Sequence, residues 1–204
     1  MRIAMAQLNP TVGDFEGNLA KAEKTLESVR KERPDLVVFP EMFLTGYPPL
    51  DLLERGWFVR KAEDALTKLA GLSAKHPHTG ILVGTVLKND RSVGKGLHNS
   101  AVLLANGEIQ AAVHKALLPT YDVFDEARYF DPGEPAAAVS FKDANLGITI
   151  CEDAWNDPAL WRRPVYDRDP VAELVRLKAT LLINISASPF SVGKDEVRHR
   201  LFEG

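Results

Sequence analysis

Apolar residues in this chain alternate between short unbroken runs and longer stretches where they recur every three or four positions. The runs at residues 3–8, 36–39, 81–86 and 181–185 are too short for helices and read as buried strands. Between the first two, Leu19, Ala22, Leu26 and Val29 share one face of a helix that Asp14 can cap and Pro34 stops. A second helical stripe runs through Phe58, Ala62, Ala65, Leu66, Leu69 and Leu72. Residues 97–105 and 109–115 flank Asn106-Gly107, a pair that tolerates positive φ and is the strongest short hairpin signal. Another strand pair, 138–141 and 146–150, is joined across 142–145. Pro170 opens a helix carrying Ala172, Leu174, Val175 and Leu177, with Asp169 as its cap.

Two stretches have no period. Residues 42–56 contain Thr45-Gly46-Tyr47-Pro48-Pro49, which is loop material. Residues 117–135 are aromatic and acidic, and an aperiodic stretch of that length tends to be functional. With no repeat or linker, the pattern predicts one α/β domain: a mixed sheet system, or two packed sheets with outer helices. Residues 191–204 read as the opening of a charged helix at which the chain stops, which suggests a fragment of something longer.

Composition narrows the classes. A net charge of −3 over 204 residues gives no electrostatic case for nucleic acid, and no basic run points to a membrane surface. The apolar stretch after Arg2 is too short for a signal core or a membrane span, so the expectation is a cytoplasmic protein. The single cysteine excludes an internal disulfide and fits a reducing compartment. The five histidines are scattered and none shows a metal-ligand spacing, so no metal is expected.

The chemistry gathers at strand ends. Cys151 follows Leu146-Gly147-Ile148-Thr149-Ile150, Glu41 follows Leu36-Val37-Val38-Phe39-Pro40, and Lys115 follows the strand that ends in His114. A lone cysteine is ordinarily a small core hydrophobe, and an isolated Glu or Lys at a strand end is ordinarily solvated. Together they supply the parts for cysteine-based amide hydrolysis. A thiol of pKa about 8.5 needs a base, a carboxylate can shuttle its proton, and an ammonium can steady an oxyanion. Glu152 and Asp153, beside the cysteine, read as structural anchors more readily than as a cation site.

At these residues the sequence resembles the nitrilase (carbon–nitrogen hydrolase) superfamily, whose signature is a Glu–Lys–Cys triad. The matching segments are Phe39-Pro40-Glu41-Met42, His114-Lys115 with Leu118-Pro119, and Ile150-Cys151-Glu152-Asp153. A closer likeness, to the glutaminase domains of glutamine-dependent NAD synthetases, runs through residues 40–53, 115–130 and 151–155. The resemblance implies a four-layer α-β-β-α sandwich with mixed sheets. Residues 1–204 would form a glutaminase domain lacking its last elements, with the synthetase domain absent.

The resemblance also assigns roles. Glu41 would be the general base, Lys115 the oxyanion stabiliser and Cys151 the nucleophile. Glu126 matches a further carboxylate beside the lysine, and Tyr47 and Tyr121 match tyrosines of the glutamine pocket. Ser188 and Lys194 match positions near the α-amino and α-carboxylate groups, and Glu152 is counted with the substrate-binding set. Expected partners are glutamine, the synthetase domain of the same polypeptide and further copies of the chain. This chain itself should need no cofactor, since it has no Gly-rich phosphate loop; ATP, Mg and deamido-NAD would belong to the absent domain. The alternative within the superfamily is a free-standing amidase acting on another small amide or carbamoyl compound. A rival of another class is a non-catalytic interaction module whose thiol is buried and inert.

Overall fold

The computed structural model describes residues 1–134, 136–157, 161, 163–189 and 191–203. Residue 135 of the aperiodic stretch and residue 204 of the final helix lie outside the described residues. Strand β1 (Ile3–Met5) is shorter than the apolar run that predicts it. Beyond it Gln7 N–H and Leu8 N–H donate back to Met5 and Ala6, two residues earlier, and the chain turns out of the ladder. Helix α1 (Phe15–Ser28) starts where Asp14 accepts a hydrogen bond from Gly17 N–H, and it buries Phe15, Ala22 and Leu26. Strand β2 (Leu36–Val38) follows, and helix α2 (Gly56–Ser73) buries the second apolar stripe.

Strands β3 (Gly80–Lys88), β4 (Leu97–Ala105) and β5 (Glu108–His114) complete the first sheet, whose order is β1-β2-β3-β4-β5. Its first three strands are parallel, with α1 and α2 in the crossovers, and the last two are antiparallel. Asn106 and Gly107 both take positive φ, 54° and 89°, closing the β4–β5 hairpin as the sequence requires. The second sheet, β6 (Val139–Phe141), β7 (Ala144–Ile150) and β8 (Leu181–Ile185), has β7 antiparallel to β6 and parallel to β8. Helix α4 (Pro170–Arg176) makes that last crossover, with Asp169 capping Ala172 N–H. Among the described residues two further α-helices, α3 (Glu126–Tyr129) and α5 (Lys194–Glu203), and short 3-10 helices at Arg30–Glu32, Cys151–Ala154 and Leu50–Glu54, the last within the stretch expected to be loop, complete the elements.

Four layers result. Helices α1 and α2 bury their stripes against Val37, Ile81, Val83, Val102 and Leu104 on one face of the first sheet. The other face presents Leu36, Leu82, Ala101 and Leu103 to Leu146, Ile148, Ile150, Ile183 and Ile185 of the second sheet. On the far side α4 packs against β7, where a side chain at Gly147 would meet Leu174 and Ala179. This is the predicted α-β-β-α sandwich of mixed sheets. The two sheets are held together by non-polar contact across the middle, and the reactive polar groups lie at one rim.

Gly84 links this packing to that rim. A Cβ there would press on Met42 N and Pro40 O and come within 2.6 Å of Glu41 Cα. Gly84→Ala should therefore destabilise the protein by about 1–3 kcal/mol, the usual range for overpacking, and displace Glu41. Chemical denaturation checks the first effect; an unchanged midpoint would show that the Glu41 loop does not rest on β3.

Candidate active site

The rim is built from the exits of β2, β5, β7 and β8. After β2 the chain stays on its neighbour: Phe39 N–H donates to Leu82 O, and Leu44 N–H donates to Gly84 O. Met42 then takes a left-handed backbone, φ 51°, and the Glu41 side chain is wholly buried. Lys115 leaves β5 directly and is 1% exposed. Its ammonium donates to Glu41 Oε1 at 2.8 Å and to Glu126 Oε1 at 2.7 Å. Glu126 comes from the first residue of α3, within the stretch that lacks a period. That stretch is ordered by long-range backbone bonds, Asp131 N–H to Leu97 O and Gly133 N–H to Lys115 O.

Cys151 begins a short 3-10 turn after β7, is 4% exposed and adopts a left-handed backbone, φ 45°. For a residue with a side chain that conformation costs on the order of 1 kcal/mol, and it takes the thiol out of the strand's alternation. Burial first, and then the charge of Glu41, push the thiol up to about 12; Lys115 and a hydrogen bond with Ser186 act the other way. The resting thiol is thus neutral at pH 7, and attack on a carbonyl requires its proton to be taken away. Burial works against the Lys115 ammonium, but the charges of Glu41 and Glu126 outweigh it and hold its pKa well above that of a free lysine. Burial, with the nearby Glu41, raises Glu126 despite the opposing pull of Lys115.

Glu41, Lys115, Glu126 and Tyr47 are joined directly, since Tyr47 Oη donates to Glu126 Oε1 at 2.8 Å. Tyr121 and Glu152 form a second pair, with Tyr121 Oη 2.8 and 2.9 Å from the two carboxylate oxygens. Ser188 and Lys194 form a third: Lys194 Nζ donates to Ser188 Oγ at 2.7 Å and lies 5.3 Å from the centre of the Trp155 ring. A cavity of about 420 Å³, lined by Gln7, Asn9, Tyr47, Ser186 and Ser188 among others, opens onto Glu41. A second, of about 270 Å³, is lined by Tyr121, Glu152, Trp155 and their neighbours. Among the described residues no group of His, Cys, Asp and Glu side chains could hold a metal ion.

Four contributors escape the sequence reading. Asn99 Nδ2 donates to Glu41 Oε1 at 2.8 Å, and Ala187 N–H donates to Glu41 Oε2 at 2.8 Å. Ser186 reaches the thiol, and Tyr166 Oη donates to Glu152 Oε1 at 3.1 Å. Only Asn99 left a trace in the pattern, as the middle of the polar triplet His98-Asn99-Ser100 inside an apolar strand.

Asp153 anchors the rim, as its place beside the cysteine suggested. Its carboxylate accepts from Ala116 N–H and Leu117 N–H, just past β5, and from Ile150 N–H at the end of β7, at 2.8–2.9 Å. Burial raises its pKa to about 6 against the pull of those donors. Asp153→Ala would leave three buried N–H groups without an acceptor and should cost about 3–5 kcal/mol, measured by urea unfolding. A loss below 1 kcal/mol would mean that the two strand ends are held by other contacts.

His114 gives a pH dependence. Its ring stacks on that of His98 with centroids 4.2 Å apart, and its Nδ1 lies 2.7 Å from Ser100 Oγ. Burial and the neighbouring His98 push its pKa from 6.5 down to about 4. In that window the unfolded chain binds a proton that the folded chain refuses, so stability falls as the pH drops from 6.5 towards 4. For a half-buried ring, solvent screening holds the loss to about 1–2 kcal/mol. Comparing His114→Gln with the unaltered protein in urea at low and neutral pH should show that portion of the acid sensitivity gone; equal pH slopes would refute it.

Comparison with known proteins bears on this arrangement. The carbon–nitrogen hydrolase family model matches residues 2–169. The chain belongs to the carbon–nitrogen hydrolase family. It is 43% identical over 202 residues to a glutamine-dependent NAD(+) synthetase of Synechocystis sp., which covers 98% of this chain and 36% of that protein. Identity to the Thermotoga maritima protein of the same name is 44% over 199 residues, 97% of this chain and 32% of that protein. The chain thus spans about a third of the length of these relatives. Among solved structures, glutamine-dependent NAD+ synthetase from Acinetobacter baumannii superposes with a TM-score of 0.83 at 28% identity, over 97% of this chain and 34% of that one. An amidase from Nesterenkonia sp. shares the fold with a TM-score of 0.76 at 21% identity, over 96% of this chain and 68% of that one. The family makes this an enzyme domain of carbon–nitrogen hydrolase type.

Proposed function

We propose that this chain is the glutaminase part of a glutamine-dependent NAD synthetase and that it releases ammonia from glutamine. The observation that carries the reading is a buried ammonium, Lys115, held between Glu41 and Glu126 beside the Cys151 thiol, in a chain more than 40% identical to relatives of that name. Glutamine enters with its side-chain amide against Cys151. The sulfur attacks the carbonyl carbon while Glu41 accepts the thiol proton, and the C=O electron pair moves onto oxygen. Lys115 Nζ, already oriented by two carboxylates, steadies that oxyanion. As the intermediate collapses the C–N bond breaks, and Glu41 returns its proton to the departing nitrogen, which leaves as ammonia. Water then attacks the glutamyl thioester, gives its proton to Glu41 and yields glutamate; Glu41 reprotonates the sulfur. The sum is glutamine plus water to glutamate plus ammonia.

Glu152, Tyr121, Ser188 and Lys194 surround the glutamine backbone groups in this reading, and Tyr47 holds Glu126. The ammonia passes to a synthetase domain outside residues 1–204, where ATP, Mg and deamido-NAD bind. No helix among the described residues is long and apolar enough to cross a membrane. The reading adds a cytoplasmic location and assembly into homo-oligomers.

Intact-mass analysis after quenching with glutamine should show a glutamyl adduct on Cys151. In the protein as its gene encodes it, Cys151→Ala should lower glutamate release by roughly 10⁴-fold or more. Normal glutamate release by that variant would end the proposal, and turnover of other small amides but not glutamine would replace it with a free-standing amidase.

A further inference from the structure

The residue with the least expected place in the rim is Tyr166, which comes from a segment with no periodic pattern between the Cys151 turn and α4. One buried side chain holds residues 165–168 of that segment. Asn156, 5% exposed, accepts from Val165 N–H at 3.1 Å and Tyr166 N–H at 3.3 Å through its oxygen. Its amide nitrogen donates to Tyr166 O at 2.7 Å and Arg168 O at 2.6 Å. Every donor and acceptor of the amide's usual complement is thereby engaged on one short loop. Arg168 carries the anchorage on, forking onto Glu173 of α4 at 3.1 and 2.9 Å. From this anchored part of the loop the Tyr166 hydroxyl reaches to 3.1 Å from Glu152 Oε1.

Glu152 is 6% exposed, and among the described residues its carboxylate forms no ion pair with a lysine, arginine or histidine. Its side-chain donors are two neutral phenols, Tyr121 and Tyr166. Burial, together with the charge of Glu152, raises the pKa of Tyr166 above its ordinary value, so the phenol stays a donor throughout the working range. A buried carboxylate with hydrogen bonds but, among the described residues, no ion pair is costly, and it lines a cavity of about 270 Å³ whose wall includes Trp155, Trp161 and Arg163. The chemical group that completes it is a cation on the substrate, flanked by aromatic faces that favour one.

We propose that Tyr166, held by Asn156, is a positioning and specificity-determining residue: it fixes Glu152 so that the site selects amides that carry an ammonium group. This rests on the glutaminase reading and adds to it the device that sets the carboxylate. Tyr166 acts through Glu152 and does not touch the reacting amide, so its loss weakens binding without slowing the chemical steps.

The test compares Tyr166→Phe with the unaltered protein, as its gene encodes it, on glutamine and on glutaramate, which is glutamine without the α-amino group. With one hydrogen bond to the carboxylate removed, KM for glutamine should rise by about three- to tenfold while kcat stays within about twofold. The ratio of kcat/KM for glutamine to that for glutaramate should fall by the same factor. This ratio does not depend on the fraction of protein that is folded. An unchanged KM and an unchanged ratio in an enzyme that turns over glutamine would overturn the inference alone. An equal loss on both substrates, with kcat falling, would assign Tyr166 a purely structural role and also overturn it. Failure of the unaltered protein to hydrolyse glutamine would remove the glutaminase reading and this one with it.

Discussion

An ammonium with almost no contact with solvent is the constraint around which the rim is arranged. Lys115 could not stay charged in that position unless carboxylates met it, and the chain supplies two, from segments 74 residues before it and 11 residues after it. Breaking such a buried group by removing one partner typically costs about 3–5 kcal/mol, far more than the arrangement contributes to stability when intact. The consequence is geometric. Each carboxylate must be delivered by backbone that is itself fixed, which accounts for the Glu41 loop lying on β3 without room for a side chain at Gly84, and for Glu126 opening a helix inside an otherwise irregular stretch.

The thiol is set by the same charges. A cysteine buried beside two carboxylates and one ammonium is less acidic than in water, so reactivity has to come from a base at the moment of attack and not from a standing thiolate. This separates the division of labour at the rim from that of low-pKa cysteines. The lysine's charge is largely committed to the carboxylates until an oxyanion forms. The backbone strain at Cys151 belongs to the same logic, since a residue left in the strand's alternation would be committed to one face of the sheet, and the left-handed turn releases Cys151 from that alternation.

Much of this was legible beforehand because it is written in side chains of unusual type at strand ends. Short unbroken apolar runs gave the strands, the i, i+3, i+4 stripes gave α1 and α2, and Asn106-Gly107 gave the hairpin. Glu41, Lys115 and Cys151 were readable as reactive groups at strand ends, and the family likeness added Glu126 to them. The remaining contributors were hidden for physical reasons. Ala187 serves Glu41 through a main-chain N–H, which leaves no residue-type signature. Asn99 shows only as part of the polar triplet His98-Asn99-Ser100, with nothing in the pattern to link it to Glu41, and Tyr166 depends on a loop shape set by Asn156 ten residues away. The stretch from 117 to 135 looked unstructured because its order comes from bonds to distant strands and not from any local period.

The Glu41 side chain is gripped by residues 58, 74 and 146 positions away along the chain. None of these contacts can form inside a locally folded hairpin or helix pair, and closing such long loops is slow compared with helix or turn formation. The competent rim is therefore a late product of folding. It comes into being only after the two sheets have docked and β8 has found its place beside β7, so chemical competence reports on completion of the whole sandwich. A partly folded chain with most of its secondary structure in place would carry a single cysteine still lacking its base.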